Sequence, residues 1–120
     1  MSEQKKLLLK IFKAELEDCI EDAEDLSNLY ERRFCSDDVT NYVYQENRAL
    51  LQREIAGLRD SLQILDSLNI EQYKDYRELA GAIDEIIQKV VMELEDPEAV
   101  YTIAKRKLLK VLKYIEDRSI

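Results

Sequence analysis

Residues 9–30 read LKIFKAELEDCIEDAEDLSNLY, and the apolar positions Leu9, Phe12, Leu16, Cys19, Ala23, Leu26 and Tyr30 recur at steps of three and four. That spacing keeps one stripe on one side of an α-helix and is the pattern of a helix packed lengthwise against others. The stretch predicts a long first helix, from about residue 2 to residue 34. The same period returns three times further along. Leu51, Ile55, Leu58, Leu62 and Leu65 mark a second helix over 37–67, and Tyr73, Tyr76, Ala80, Ile83, Ile87, Val90 and Leu94 a third over 70–95. Tyr101, Ala104, Leu108, Val111 and Ile115 mark a fourth over 97–118.

The breaks carry start signals. At CSDD, residues 35–38, Ser36 or Asp37 can accept hydrogen bonds from the free amides that open helix 2. At SLNIEQY Asn69 is placed as a cap, Gln72 reaches back, and Leu68 and Tyr73 can pack as a staple, so helix 3 is expected from Ile70. At EDPEA Asp96 is placed as a cap, Pro97 at the first helical position and Glu98 near the positive end of the dipole.

Four helices joined by short loops pack as antiparallel neighbours. The expected fold is therefore all-α, an up-down-up-down four-helix bundle in a single domain spanning residues 1–120. Composition agrees: two glycines, one proline and 46% apolar residues suit a helical core. Helix 1, at about 48 Å, is longer than helix 4, at about 33 Å, and leaves surface to cover. A homodimer of long helical hairpins is the competing arrangement.

Within the opening stretch, residues 15–25 hold seven carboxylates in eleven positions. Phased on the helix, none falls on the apolar spine. Helix 4 carries six basic against three acidic residues, so Asp22 is expected to face Lys107 across one seam, with Asp18 near Lys110 or Lys113. Glu17, Glu21 and Glu24 point away from both neighbouring helices and are candidate contacts for a basic partner. A second candidate surface is the end of the bundle where Tyr30, Phe34, Tyr42, Tyr44 and Tyr101 are expected to gather, since tyrosine is enriched at interfaces. Beside it, in YVYQEN, Glu46 and Asn47 are placed as a polar pair entering the core.

The sequence also excludes chemistry. It has no histidine, which removes imidazole bases, His-containing triads and carboxylate–histidine di-iron sites. The E-x-x-E and E-x-x-D pattern with which all-α nucleoside-triphosphate pyrophosphohydrolases hold magnesium is met only in its first half, by Glu21 and Glu24, so no family resemblance follows. A magnesium-dependent hydrolase using Glu15, Asp18, Glu21 and Asp22 is one alternative reading. The other is a nucleic-acid helper using a lysine-rich end of Lys5, Lys6, Lys10, Lys13, Lys110, Lys113 and Arg118. A net charge of -8 argues against nucleic acid or anionic membrane as a general partner.

The unpaired thiols expected of Cys19 and Cys35, about 24 Å apart along one helix, point to a cytoplasmic setting, as does a charged amino terminus unlike a secretory signal. No membrane span and no cofactor are expected. The function expected from the sequence is binding to a protein partner, as an adaptor, chaperone or regulator, with no catalytic role assigned.

Overall fold

The computed structural model describes residues 2–36 and 40–118 and is a four-helix bundle. Its helices are α1 (Ser2–Cys35), α2 (Asn41–Asp66), α3 (Tyr76–Glu93) and α4 (Glu98–Arg118), with a 3₁₀ turn at Ile70–Gln72. Cross-helix contacts fix the antiparallel order. On α1 and α2, Lys13 pairs with Asp66, Glu24 with Arg59, and the Phe34 ring stacks on Tyr44 at 4.5 Å. Between α3 and α4, Tyr101 meets Asp84 and Arg77 meets Glu116.

The core is built by Leu8, Phe12, Leu16 and Ile20 of α1, Ile55, Leu58 and Leu65 of α2, Tyr76, Leu79, Ala80, Ile83, Ile87 and Val91 of α3, and Val100, Ala104, Leu108, Val111 and Ile115 of α4. The α1 spine differs from the heptad reading: Leu8 is fully buried and Ile20 is buried, while Leu9, Cys19 and Ala23 flank the core. α1 touches α2, α3 and α4, so its buried face is wider than one seam and centres a residue away from the strict repeat. Gly57 and Ser61 form a small step in the middle of α2. Ser61 is fully buried and donates its hydroxyl to the Gly57 carbonyl at 3.1 Å, and α4 approaches closely there.

Three boundaries move. Helix 2 opens four residues later than expected, at Asn41, because the Thr40 side chain accepts from Val43 N at 3.2 Å. Ser36 instead donates its hydroxyl to the Arg32 carbonyl and closes α1; Asp37, the other cap expected, lies outside the described residues. Asn69 does cap, but the turn it starts is 3₁₀ and stops at Tyr73. α3 begins at Tyr76, where Asp75 accepts from Glu78 N at 2.9 Å and Glu78 accepts from Lys74 N. That backbone bond to Glu78 is the main reason the Asp75 carboxyl lies below its usual value.

α3 ends at Glu93 in a Schellman turn, with Glu95 N donating to the Met92 carbonyl and Asp96 N to the Val91 carbonyl. Glu95 sits there at φ 54°, a position usually given to glycine. Leu94, expected in the core, is therefore turned out and is 55% exposed.

The molecule is long and thin, 55 × 31 × 18 Å, with a radius of gyration of 16.7 Å against about 13.6 Å for a compact chain of this length. The cause is register. Glu15, rather than Asp22, faces Lys107 and Lys110. The expected seam is correct, but α4 is displaced by one heptad, about 10 Å, toward the N-terminus of α1. The distal parts of α1 and α2, from about Ala23 to Cys35 and from Asn41 to about Ile55, thus project past the α3–α4 pair as a two-helix overhang.

Lys5 is buried near the other end and donates Nζ to the Tyr73 carbonyl at 2.8 Å, tying α1 to the loop before α3. Lys5→Met keeps the bulk but leaves that carbonyl without its charged donor. It is expected to cost about 1–2 kcal/mol, read as a lower urea midpoint with faster amide exchange at residues 70–76. An unchanged midpoint would show that the tie contributes nothing.

Candidate functional site

The overhang inherits its chemistry from the cradle that holds α4. On α2, Val43, Leu50 and Gly57 are spaced by sevens and share one face, and the next step, Ile64, is itself 39% exposed, so α4 covers this face around Gly57 only. Gly57 receives α4: a Cβ there would stand 2.8 Å from Val100 Cγ2. On α1, Glu15 and Cys19 border α4, where burial pushes the Cys19 thiol upward against the opposing pull of the Lys107 charge. The next steps of that α1 stripe are Leu26 and Arg33. Beyond the start of α4 the same two faces continue with no helix over them among the described residues: Leu26 is 41%, Val43 40% and Leu50 46% exposed. The opposite side of the hairpin is more polar, with Glu24, Asn28, Gln52 and Arg59 beside Ile55 and Ala56 around a shallow hollow. The overhang is amphipathic across its thickness.

The expected tyrosine cluster is divided by the register shift. Phe34 and Tyr44 stack at the hairpin tip, where Tyr44 is buried, and Tyr30 is half-buried nearby on α1. Tyr42 is 70% exposed, and its hydroxyl donates to Glu46. Tyr101 does not join them. Its hydroxyl donates to Asp84 on α3 at 2.9 Å, level with about Asp22 of α1 and so roughly 12 Å along the axis from Tyr30. Asn47 donates to the carbonyl of Val43 in its own helix, so Glu46 and Asn47 are not a core pair.

Of the three outward acids, Glu24 is engaged by Arg59 of α2 at 2.9 Å, although it was expected to be free. Glu17 and Glu21 are exposed and, among the described residues, form no ion pair; the same holds for Asp18 and Asp22, which were expected to face α4. Glu15 has both oxygens engaged, Oε1 by Lys110 at 3.0 Å and Oε2 by Lys107 at 3.6 Å. The Lys110 hydrogen bond, with the two lysine charges behind it, holds this carboxyl below its usual value despite partial burial. A cation at Glu15, Asp18, Glu21 and Asp22 would have to displace two lysines, and among the described residues no group of three or more Asp, Glu or Cys side chains is placed to hold a metal ion.

The lysine-rich end is also partly spent. Lys5 is buried, Lys13 pairs with Asp66, Lys110 with Glu15, and Arg118 lies over the Tyr114 ring. Among the described residues no helix is long and apolar enough to cross a membrane.

At the root of the overhang a shallow hollow of about 450 Å³ between the end of α3 and the start of α4 is lined by Met92, Glu95, Asp96, Glu98 and Tyr101, among others. Asp96, expected to cap α4, turns its carboxyl over Gly57 and leaves Oδ2 buried, without a hydrogen-bond partner among the described residues. Desolvation, then the Asp60 charge, raises this carboxyl above the usual aspartate value, and Arg53 only partly offsets them. At neutral pH the fold therefore carries an unfavourable charge, which is relieved as the pH falls through the raised value. Asp96→Asn is expected to be more stable than the natural chain at pH 7. Its advantage should shrink through that range and disappear below the ordinary aspartate value, as read by urea unfolding of both proteins from pH 7 to pH 3 at low micromolar concentration. A pH-independent difference would contradict this account.

No protein-family model, curated protein or solved structure is significantly similar to this chain.

Proposed function

We propose that the protein works by helix-mediated protein–protein contact, as an adaptor, chaperone or regulator in the cytoplasm, with the apolar side of the overhang as its docking face. One observation carries the reading: the α4-facing stripe runs on through Leu26, Val43 and Leu50 after α4 has ended. A face that receives a helix around Gly57 and stays apolar and exposed beyond it is suited to accept another helix. Tyr30, Phe34, Tyr42 and Tyr44 lie at or near its tip and belong to this surface, Tyr42 as an exposed contact and Tyr44 as its support. Tyr101 and the acids Glu17 and Glu21 stand outside it, and Glu24 is on the polar side. The thiols of Cys19 and Cys35, both free, suit a reducing compartment.

The test uses Leu26→Glu with Leu50→Glu, since both side chains are already substantially exposed. Melting is expected to stay close to that of the natural chain, while a partner captured from cytosol is lost. Tyr42→Ser should weaken capture in the same direction without a stability change; Tyr44→Ser is a poor probe, because it removes the ring stack that closes the hairpin. A partner held equally by natural and doubly substituted chains would show that the face is misassigned.

A further inference from the structure

Resting on that docking face, we propose that its occupant is a second copy of this chain, docked antiparallel about a two-fold axis so that two overhangs complete one four-helix bundle.

Three observations converge on a self-complementary partner. The first is shape. The bare face is what remains of a cradle built for two antiparallel helices, and the overhang is itself two antiparallel helices of the same length. With the axis near the middle of the overhang, Leu50 and Tyr30 of one copy meet their equivalents on the other.

The second is the placement of four further exposed apolar groups, with Ile64, Leu109 and Tyr114 lying away from the overhang. Met92 at 73% and Leu94 at 55% exposure stand at the root of the overhang, while Tyr42 and Val43 stand at its tip. Antiparallel docking carries each tip to the other copy's root and brings these groups together.

The third is charge. Arg33 lies one heptad beyond Leu26, on the docking side near the tip, and the root offers the exposed carboxylates of Glu95 and Glu98. The same antiparallel docking moves each guanidinium toward the other copy's acids. A parallel arrangement would set tip on tip and root on root, with like charges adjacent.

Area sets the strength. A face about 20 Å long and two helices wide covers roughly 400 Å² per copy, and contact of tip with root raises this to about 500–600 Å². The total falls at the lower limit of stable interfaces, so the dimer should form in the micromolar range and depend on concentration.

Sedimentation equilibrium of the full chain between about 1 μM and 1 mM tests this. The apparent mass is expected to rise from 14.2 kDa toward twice that value. Leu50→Glu should hold the chain at the monomer mass throughout, with its helical circular dichroism and melting retained. Arg33→Glu should weaken association about tenfold or more, whereas Arg32→Glu, turned about 100° away around α1, should leave it unchanged. A chain that stays monomeric at 1 mM overturns self-docking. If the same chain still captures a different protein in a Leu26- and Leu50-dependent manner, the docking face survives without the dimer. A dimer that ignores Leu50→Glu, or that weakens equally with Arg32→Glu, overturns the proposed geometry.

Discussion

Phe12→Ala is expected to lower the unfolding free energy by about 3–5 kcal/mol, and Leu26→Ala by less than about 1 kcal/mol, although both residues belong to the same repeat on the same helix. Phe12 is completely buried, with Leu8 and Leu16 a turn to either side and also inaccessible. Truncating its ring loses the transfer free energy of a large aromatic and leaves a cavity that neighbouring helices, held by their own core residues, fill only in part. Leu26 is 41% exposed and lies where α4 no longer reaches. Its truncation empties no enclosed space. Urea unfolding of both variants at low micromolar concentration, where self-association is negligible, measures the contrast. Similar losses would mean that α1 is buried evenly along its length and that no overhang exists.

The second large expectation is a difference of sign between two glycines. Gly81→Ala should raise stability by about 0.5–1 kcal/mol, because Gly81 lies inside α3 with open space around the added methyl and alanine is the better helix former. Gly57→Ala offers the same gain in propensity but should lower stability by roughly 1–3 kcal/mol. Its Cβ would stand 2.8 Å from Val100 Cγ2 and 3.1 Å from Asp96 Cγ. Val100 is fully buried and cannot swing away, so relief requires α4 to shift outward along its whole contact with α2. Calorimetric melting of the two variants beside the natural chain decides the matter. A stabilised Gly57→Ala would show that α4 does not pack as closely on α2 as the structure has it.

The helices were legible because period and caps act locally. The four helical periods and Asn69 as a cap can be read from neighbouring residues, although the buried face is centred a residue off in places, on Leu8, Val91 and Val100 in place of Leu9, Val90 and Tyr101, and Pro97 precedes α4 instead of opening it. The end of α3 could not, because its left-handed position is filled by Glu95 in place of the glycine that would announce it. The close approach at Gly57 was equally silent, since a small residue inside a helix signals contact only when the opposing helix is known. The largest error was register. Lys107 could match either Glu15 or Asp22, one heptad apart on the same seam, and a repeat cannot choose between positions that it makes equivalent. The choice rests on where the turn after α3 seats on α2, which is a tertiary fact. From that one displacement follow the separation of Tyr101 from the other aromatic residues and the freedom of Asp18 and Asp22. The excess length of helix 1 was visible in the sequence, but which residues it would leave bare was not.

α1 is one unbroken ladder of backbone hydrogen bonds, yet it passes from a region enclosed by three helices into a region supported by one. Amide protection along it should therefore be stepped. Residues up to about Ile20 should open only with global unfolding, and those beyond about Ala23 by separation of the hairpin tip at lower free energy. A single helix would then contain two cooperative units, with the boundary set by where its neighbours stop and not by any feature of its own sequence.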